Sequence, residues 1–168
     1  VHRSRLKDLI WATDLLTCIR QDFHFLIIGS GSQLSRLQRF ASLTEAKTHI
    51  HFLSHPESSV IQGLDFYWHP HLQEPLSGNL LSAMAAEIPS IAVYGEGTQE
   101  IIRHQETGFA VNFGARDEFA RWTKFLIEKP EESQILVQQG RQLVERAFPV
   151  KSMVDGYLEL YQSKFESK

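Results

Sequence analysis

Phe25-Leu-Ile-Ile-Gly-Ser-Gly-Ser-Gln-Leu34 is a four-residue apolar run cut off by two glycines, with a helical period beginning at its end. A run that short, closed by Gly29, reads as a buried strand; Leu34, Leu37, Phe40, Ala41 and Leu43 then supply the spacing of a helix. Outward from this unit the same alternation recurs. Leu6, Leu9, Ile10, Thr13, Leu16 and Cys18-Ile19 predict a helix before the strand. Residues 49–53, 64–68, 90–94 and 109–111 predict four more strands, with a brief helix from about Glu57. Short buried strands alternating with helices imply parallel pairing through right-handed crossovers. The expected fold class is therefore α/β: a doubly wound, Rossmann-like parallel sheet with helices on both faces.

The two ends qualify this pattern. The chain opens almost directly into a helix, whereas a sheet of this kind normally starts with a strand, so Val1-His-Arg3 reads as a remnant of one and the chain as a fragment of a longer protein. From Arg116 onward only helices are signalled. Phe119, Trp122, Thr123 and Leu126 form one amphipathic face, and Ile135, Val137, Leu143 and Val144 a second. After Phe148-Pro149, Met153, Val154, Tyr157, Leu158 and Tyr161 form a third. All three read as extra C-terminal helices covering the sheet.

The 168 residues, 42% of them hydrophobic, suit one domain spanning 1–168. Seventeen basic against twenty acidic residues give a net charge of -3, which offers no basic surplus for a nucleic-acid backbone. Cys18 is the single cysteine; within a helical pattern it reads as a buried structural thiol, and it suits a reducing compartment. No apolar run approaches the ~18 residues that span a bilayer, and the expected location is the cytoplasm.

In an open parallel sheet, ligands gather at the loops beyond the carboxyl ends of the strands. Those loops are Gly29-Ser-Gly31, Ser54-His55, the stretch from His69-Pro-His71 to Ser77-Gly78, and Gly95-Glu-Gly97-Thr98. Glycines permit close backbone approach, and helix-start amides favour anions such as phosphate. The dinucleotide fingerprint fails here, because Leu34 stands where a third glycine is needed and no acid follows the next strand. Gly29-x-Gly31 on its own equally suits a tight turn. Neither a phosphate loop ending in Gly-Lys-Ser/Thr nor a Gly-x-Ser-x-Gly elbow is present.

Read in order, Lys7-Asp-Leu-Ile-Trp-Ala12, Phe25-Leu-Ile-Ile-Gly-Ser-Gly31, His51-Phe-Leu53, the Glu74 loop with Ala83-Met-Ala-Ala, Ile88-Pro-Ser-Ile91, Gly97-Thr-Gln-Glu-Ile-Ile102 and Glu106-Thr-Gly-Phe-Ala-Val111 resemble the C-terminal, donor-binding half of retaining glycosyltransferases of the GT-B fold, family four. The resemblance runs nearly end to end. It implies a second Rossmann-like domain, N-terminal to this one, that binds the acceptor, whether glycan, lipid or small molecule, and through which the protein could associate peripherally with a membrane.

The resemblance also implies roles. Glu74 matches the first motif glutamate, beside the donor sugar, with the backbone at Leu76 and Ser77 contacting sugar hydroxyls or holding the loop. Amides at Gly78, Asn79 and Leu80 would face the diphosphate of a nucleoside-diphosphate sugar. Ser82 stands in the place of the second glutamate, which grips the ribose; a hydroxyl cannot accept from both ribose hydroxyls as a carboxylate does. Arg3 and Lys7 match the basic pair that neutralises the leaving diphosphate, while Ser54 and Gly29, Ser30 and Gly31 would flank base and phosphates. Cations and amides preorganised around the leaving oxygen lower the barrier with no cofactor and no metal.

Pairs His49/His51 and His69/His71, with His55, raise a metal reading, but a site needs three or four converging ligands. His49 and His51 fit strand-edge packing, and His69 and His71 could line the donor cleft. Phe66, Tyr67 and Trp68 read as core packing, and Glu100 as a brace for the helix after Gly97 or a buried structural acid. Beside the glycosyltransferase reading stand two others: a degenerate, non-catalytic donor-like domain acting as a binding or interaction module, suggested by Ser82, and an unrelated nucleotide-binding Rossmann enzyme.

Overall fold

The computed structural model describes residues 5–54, 58–74 and 76–166. Arg3 and His55 lie outside the described residues. Helix α1 (Leu6–Leu16) leads into strand β1 (Phe25–Ile28), helix α2 (Leu34–Ala41), a 3-10 turn (Glu45–Thr48) and β2 (Ile50–Leu53). A second 3-10 stretch (Ser58–Gly63) precedes β3 (Tyr67–His69), α3 (Gly78–Ala85) and β4 (Ser90–Val93). A third (Thr98–Glu100) leads to β5 (Phe109–Val111), and α4 (Arg116–Glu128), α5 (Pro130–Ala147) and α6 (Val150–Glu166) complete the chain.

Every ladder is parallel, as the alternation of strands and helices requires. The strands are hydrogen-bonded in two groups rather than one: β1 with β2, and β3, β4 and β5 in that order. Side chains join the groups, with the Phe25 and Trp68 rings 5.0 Å apart. Helix α1 serves both. Leu9, Ala12 and Leu16 enter the core around Trp68, Ile91 and Phe109, while Ile10 enters the core formed by Ile27, Leu37 and Ile50. Strand β4 is buried along its whole length, which is why it reads as an uninterrupted apolar run rather than an alternating one. Beneath it, Trp68 Nε1 donates to Thr123 Oγ1 at 2.9 Å and that hydroxyl donates to the Phe119 carbonyl at 2.9 Å, so this buried indole is paired, as burial demands, whereas the buried Trp122 Nε1 has no hydrogen-bond partner among the described residues.

Several sequence expectations are corrected. Strand β3 starts at Tyr67 rather than at 64, because the Leu64 amide closes the preceding turn onto the Ile61 carbonyl and the ladder begins with Tyr67 N–H on Pro89. Cys18 is exposed, not buried: α1 ends at Leu16, Thr17 Oγ1 donates to the Asp14 carbonyl, and a tightened last turn carries Cys18 off the core. Leu43, 78% exposed, falls past the end of α2. In α5 the buried face uses Leu136, Val137, Leu143 and Val144, with Ile135 turned outward. The third tail helix covers nothing among the described residues. Val144 and Phe148 already close the core over Leu80 and Met84, and beyond Pro149 the side chains of residues 150–163 are exposed. No helix of the described residues is long and apolar enough to cross a membrane.

Candidate functional site at the carboxyl end of β3

Strand β3 carries Tyr67 and His69 on one side and Trp68 on the other, since successive side chains alternate. Trp68 goes to the core. His69, 1% exposed, places Nδ1 3.5 Å from the Tyr67 hydroxyl and Nε2 3.4 Å from Glu74 Oε2. That Nε2 contact is not aligned as a hydrogen bond, and Nε2 has no hydrogen-bond partner among the described residues. Burial, and secondarily His71, lowers the His69 pKa to about 4, so the ring is neutral at pH 7. Burial, then the Glu74 carboxylate, raises the Tyr67 phenol to about 12, and the nearby Ser77 hydroxyl acts the other way.

Helix α3 starts beside this group. Ser77 is its N-cap, its Oγ accepting from the Leu80 amide at 3.4 Å, as serine does where first-turn amides lack intrahelical acceptors. The Leu80 amide is thereby occupied, whereas Gly78 and Asn79 are exposed and a side chain at Gly78 would meet open space. The structure thus brings Glu74, Ser77, Gly78 and Asn79 together at one helix start. Leu80 contributes its buried side chain, 0% exposed, to the core that anchors the helix. Leu76 is 51% exposed, and Ser82 is exposed on the turn after the cap.

Neighbouring loops are tied in by close packing. A Cβ on Gly95 would lie 2.1 Å from the Leu72 carbonyl oxygen, so only glycine lets the loop after β4 reach the loop after β3. Thr98 Oγ1 fixes that turn, accepting from the Gly95 amide at 2.9 Å and donating to the Val93 carbonyl at 2.6 Å. After β1, Gly29 and Gly31 have φ of 139° and 157° with open space in front of both. The Gly29 amide donates to the Leu53 carbonyl at 2.9 Å, which sets the exposed residues Ser30 and Ser54 on adjacent strand ends.

Of the predicted basic pair, Arg3 lies outside the described residues and Lys7 stands on α1. Lys7 Nζ sits over the Phe40 ring of α2, 5.1 Å from its centroid. The cations at the ends of β3, β4 and β5 are Arg5 and Arg116, which with Asp8, Pro70, Val93 and Asn112 line a cavity of about 10 Å³, too small for more than a water. Arg5 pairs with Asp8 and lies over Phe113; Arg116 lies 4.8 Å over Trp11. Sequence reasoning missed both. The one available signal was Arg5 standing three residues before Asp8, one helical turn, at the start of α1.

Among the described residues His24 Nδ1 is 3.0 Å from His51 Nε2 and the His69 and His71 rings are 5.1 Å apart, while His49 stacks on Phe23 at 4.6 Å. Among the described residues no group of three or more histidine, cysteine, aspartate or glutamate side chains could hold a metal ion. Glu100 is exposed, which removes its reading as a buried acid, because the helix after Gly97 is only the three-residue turn Thr98–Glu100.

Known proteins share this fold. The chain is 34% identical over 156 residues, 90% of its length, to EpsD of Bacillus subtilis (strain 168), a protein provisionally described as a glycosyltransferase, of which it covers 41%. It is 23% identical over 98% of its length to LpsE of Rhizobium meliloti (strain 1021), a lipopolysaccharide core biosynthesis glycosyltransferase, of which it covers 48%. The chain thus spans just under half the length of these relatives. Among solved structures it matches Anabaena Alr3699/HepE, crystallised with UDP-glucose, at a TM-score of 0.89, 18% identity and coverage of 97% of this chain and 46% of that one. It also matches the C-terminal domain of the group 1 glycosyl transferase LpcC from Francisella tularensis at a TM-score of 0.77, 21% identity, 88% of this chain and 81% of that one. With parallel strands, a capped helix start beside Glu74, and a match over residues 1–143 to the family described as glycosyl transferases group 1, the chain belongs to that family.

Proposed function

We propose that this chain is the donor-binding half of a retaining glycosyltransferase, moving a sugar from a nucleoside-diphosphate sugar to an acceptor held by a domain N-terminal to it. The observation that carries the reading is Glu74 beside the Ser77-capped start of α3: a carboxylate able to accept from sugar hydroxyls stands next to amides able to donate to the diphosphate. The UDP-glucose held by Alr3699/HepE supports a ligand of this class. Negative charge develops on the leaving phosphate oxygen, and the amides of Gly78 and Asn79, with positive charge from Arg3 and Arg5, stabilise it without a metal. Glu74 orients the sugar rather than attacking it. Gly29, Ser30, Gly31 and Ser54 flank base and phosphates. The acceptor is a glycan, a lipid or a small molecule, and the acceptor-binding half provides any peripheral contact with a membrane. A cytoplasmic setting suits the exposed lone thiol of Cys18, which stays reduced there.

Calorimetric titration of the chain with UDP, GDP, ADP and their sugars tests this reading. We expect one family of nucleoside-diphosphate sugars to bind, and Glu74→Ala in the two-domain protein to abolish transfer. Normal transfer by that variant, or tight dinucleotide binding with none of the diphosphates, refutes it. One observation favours a second reading, a donor-like domain that binds without turnover: Ser82 is exposed on α3 and offers one hydroxyl where two ribose hydroxyls need a carboxylate. Under it, Ser82→Glu creates or strengthens nucleotide binding, and a titration that stays flat counts against a latent site.

A further inference from the structure

We propose that His69 is a positioning residue for Glu74, holding a proton on Nε2 that faces the carboxylate and fixes where it stands. The inference rests on the reading of Glu74 as the carboxylate that orients the sugar. It is carried by a directional run of polar groups beneath the loop. Ser77 Oγ accepts from the Leu80 amide, which leaves its own proton free, and the hydroxyl stands near enough to the Tyr67 phenol to oppose the rise in that group's pKa. The Tyr67 phenol then has its single proton to give, and His69 Nδ1 stands 3.5 Å away as the acceptor.

A neutral imidazole that accepts at Nδ1 must carry its proton on Nε2. Nε2 is buried, lacks a hydrogen-bond partner among the described residues and stands 3.4 Å from Glu74 Oε2. A buried donor left without an acceptor is costly, and the Glu74 carboxylate is the acceptor within reach. A short inward shift of Glu74 completes the bond, and the second carboxylate oxygen is left for ligand. The tautomer is set by the two groups that flank the ring, the Tyr67 phenol at Nδ1 and the Glu74 carboxylate at Nε2. The other titratable groups against this ring are His71, whose ring centroid is 5.1 Å away, and Tyr67.

Two measurements on the 168-residue chain test the proposal. Long-range proton–nitrogen NMR should find His69 as the Nε2–H tautomer at pH 7, with its Nε2 resonance displaced by Glu74→Gln; an Nδ1–H tautomer overturns it. In calorimetry against UDP-glucose, GDP-mannose and ADP-glucose beside UDP, GDP and ADP, His69→Leu should weaken the preferred nucleotide sugar about tenfold and leave the matching diphosphate unchanged. His69→Gln, which keeps a donor near Nε2, should restore most of the loss, and His69→Leu added to Glu74→Ala should cost nothing more. If Leu and Gln weaken the sugar equally, or the diphosphate falls with it, His69 has only a structural part and the proposal fails. Wild-type binding with no change in His69→Leu also sinks this inference while leaving the glycosyltransferase reading intact. A wild-type chain that binds neither sugars nor diphosphates overturns both.

Discussion

Lowering the pH from 7 to 4 should destabilise the wild-type chain more than a His69→Gln variant, by an amount that the burial of His69 sets. An exposed histidine takes its proton near 6.5, whereas His69, 1% exposed, does so only at about 4, chiefly because burial penalises the charged ring and secondarily because of His71. Between these values the unfolded chain binds a proton that the folded chain refuses, so stability falls as pH falls. The contribution of the neutral ring is fully present above pH 6.5 and is lost as the pH drops through about 4. At about 1.4 kcal/mol per pH unit, the interval corresponds to a difference of about 3 kcal/mol. Glutamine does not titrate, and the remaining acids, Glu74 among them, are common to both chains. Urea denaturation at half-unit pH steps measures the difference directly. The two stability curves should run parallel above pH 6.5 and diverge below it. Curves that stay parallel down to pH 4 would mean that His69 meets solvent in the folded chain, and the account of β3 would be wrong.

Other expectations follow from the same structure. Thr123→Val removes the acceptor of the buried Trp68 indole N–H and should destabilise by about 1–3 kcal/mol, seen as a lower urea midpoint with an unchanged slope. Gly95→Ala places a methyl group 2.1 Å from the Leu72 carbonyl oxygen; the two loops must part, the melting temperature should fall by several degrees, and binding of nucleotide sugar should weaken in calorimetry. Tyr157→Ser with Leu158→Gln on α6 should change stability by less than about 0.5 kcal/mol, because both side chains are more than half exposed; a larger loss would show that α6 packs on the core.

The sequence alone determined the architecture wherever apolar spacing had one physical solution. Phe25–Ile28 forms a strand at the bounds its spacing predicts, though only Ile27 is buried and Ile28 is exposed, and β4 and β5 lie where the spacing puts them, or within one residue of it. The start of α3 was legible for a similar reason, since a glycine before an apolar helical run marks it, while the capping role of Ser77 came only from the structure. Boundaries set by hydrogen bonds rather than by hydrophobicity were not legible: Leu64 belongs to a turn, and Cys18 lies past the end of α1. Nor could spacing tell a helix that covers the core from one that does not. Both α5 and α6 are amphipathic, and only the packing of Val144 and Phe148 over Leu80 decides that α5 is the cover. Tertiary structure alone decided which cations stand at the strand ends, because Arg5 and Lys7 lie two positions apart on one helical turn and so point in different directions. It also decided the state of His69. A histidine five residues before a glutamate says nothing of burial, and burial is what keeps the ring neutral and turns Nε2 toward Glu74.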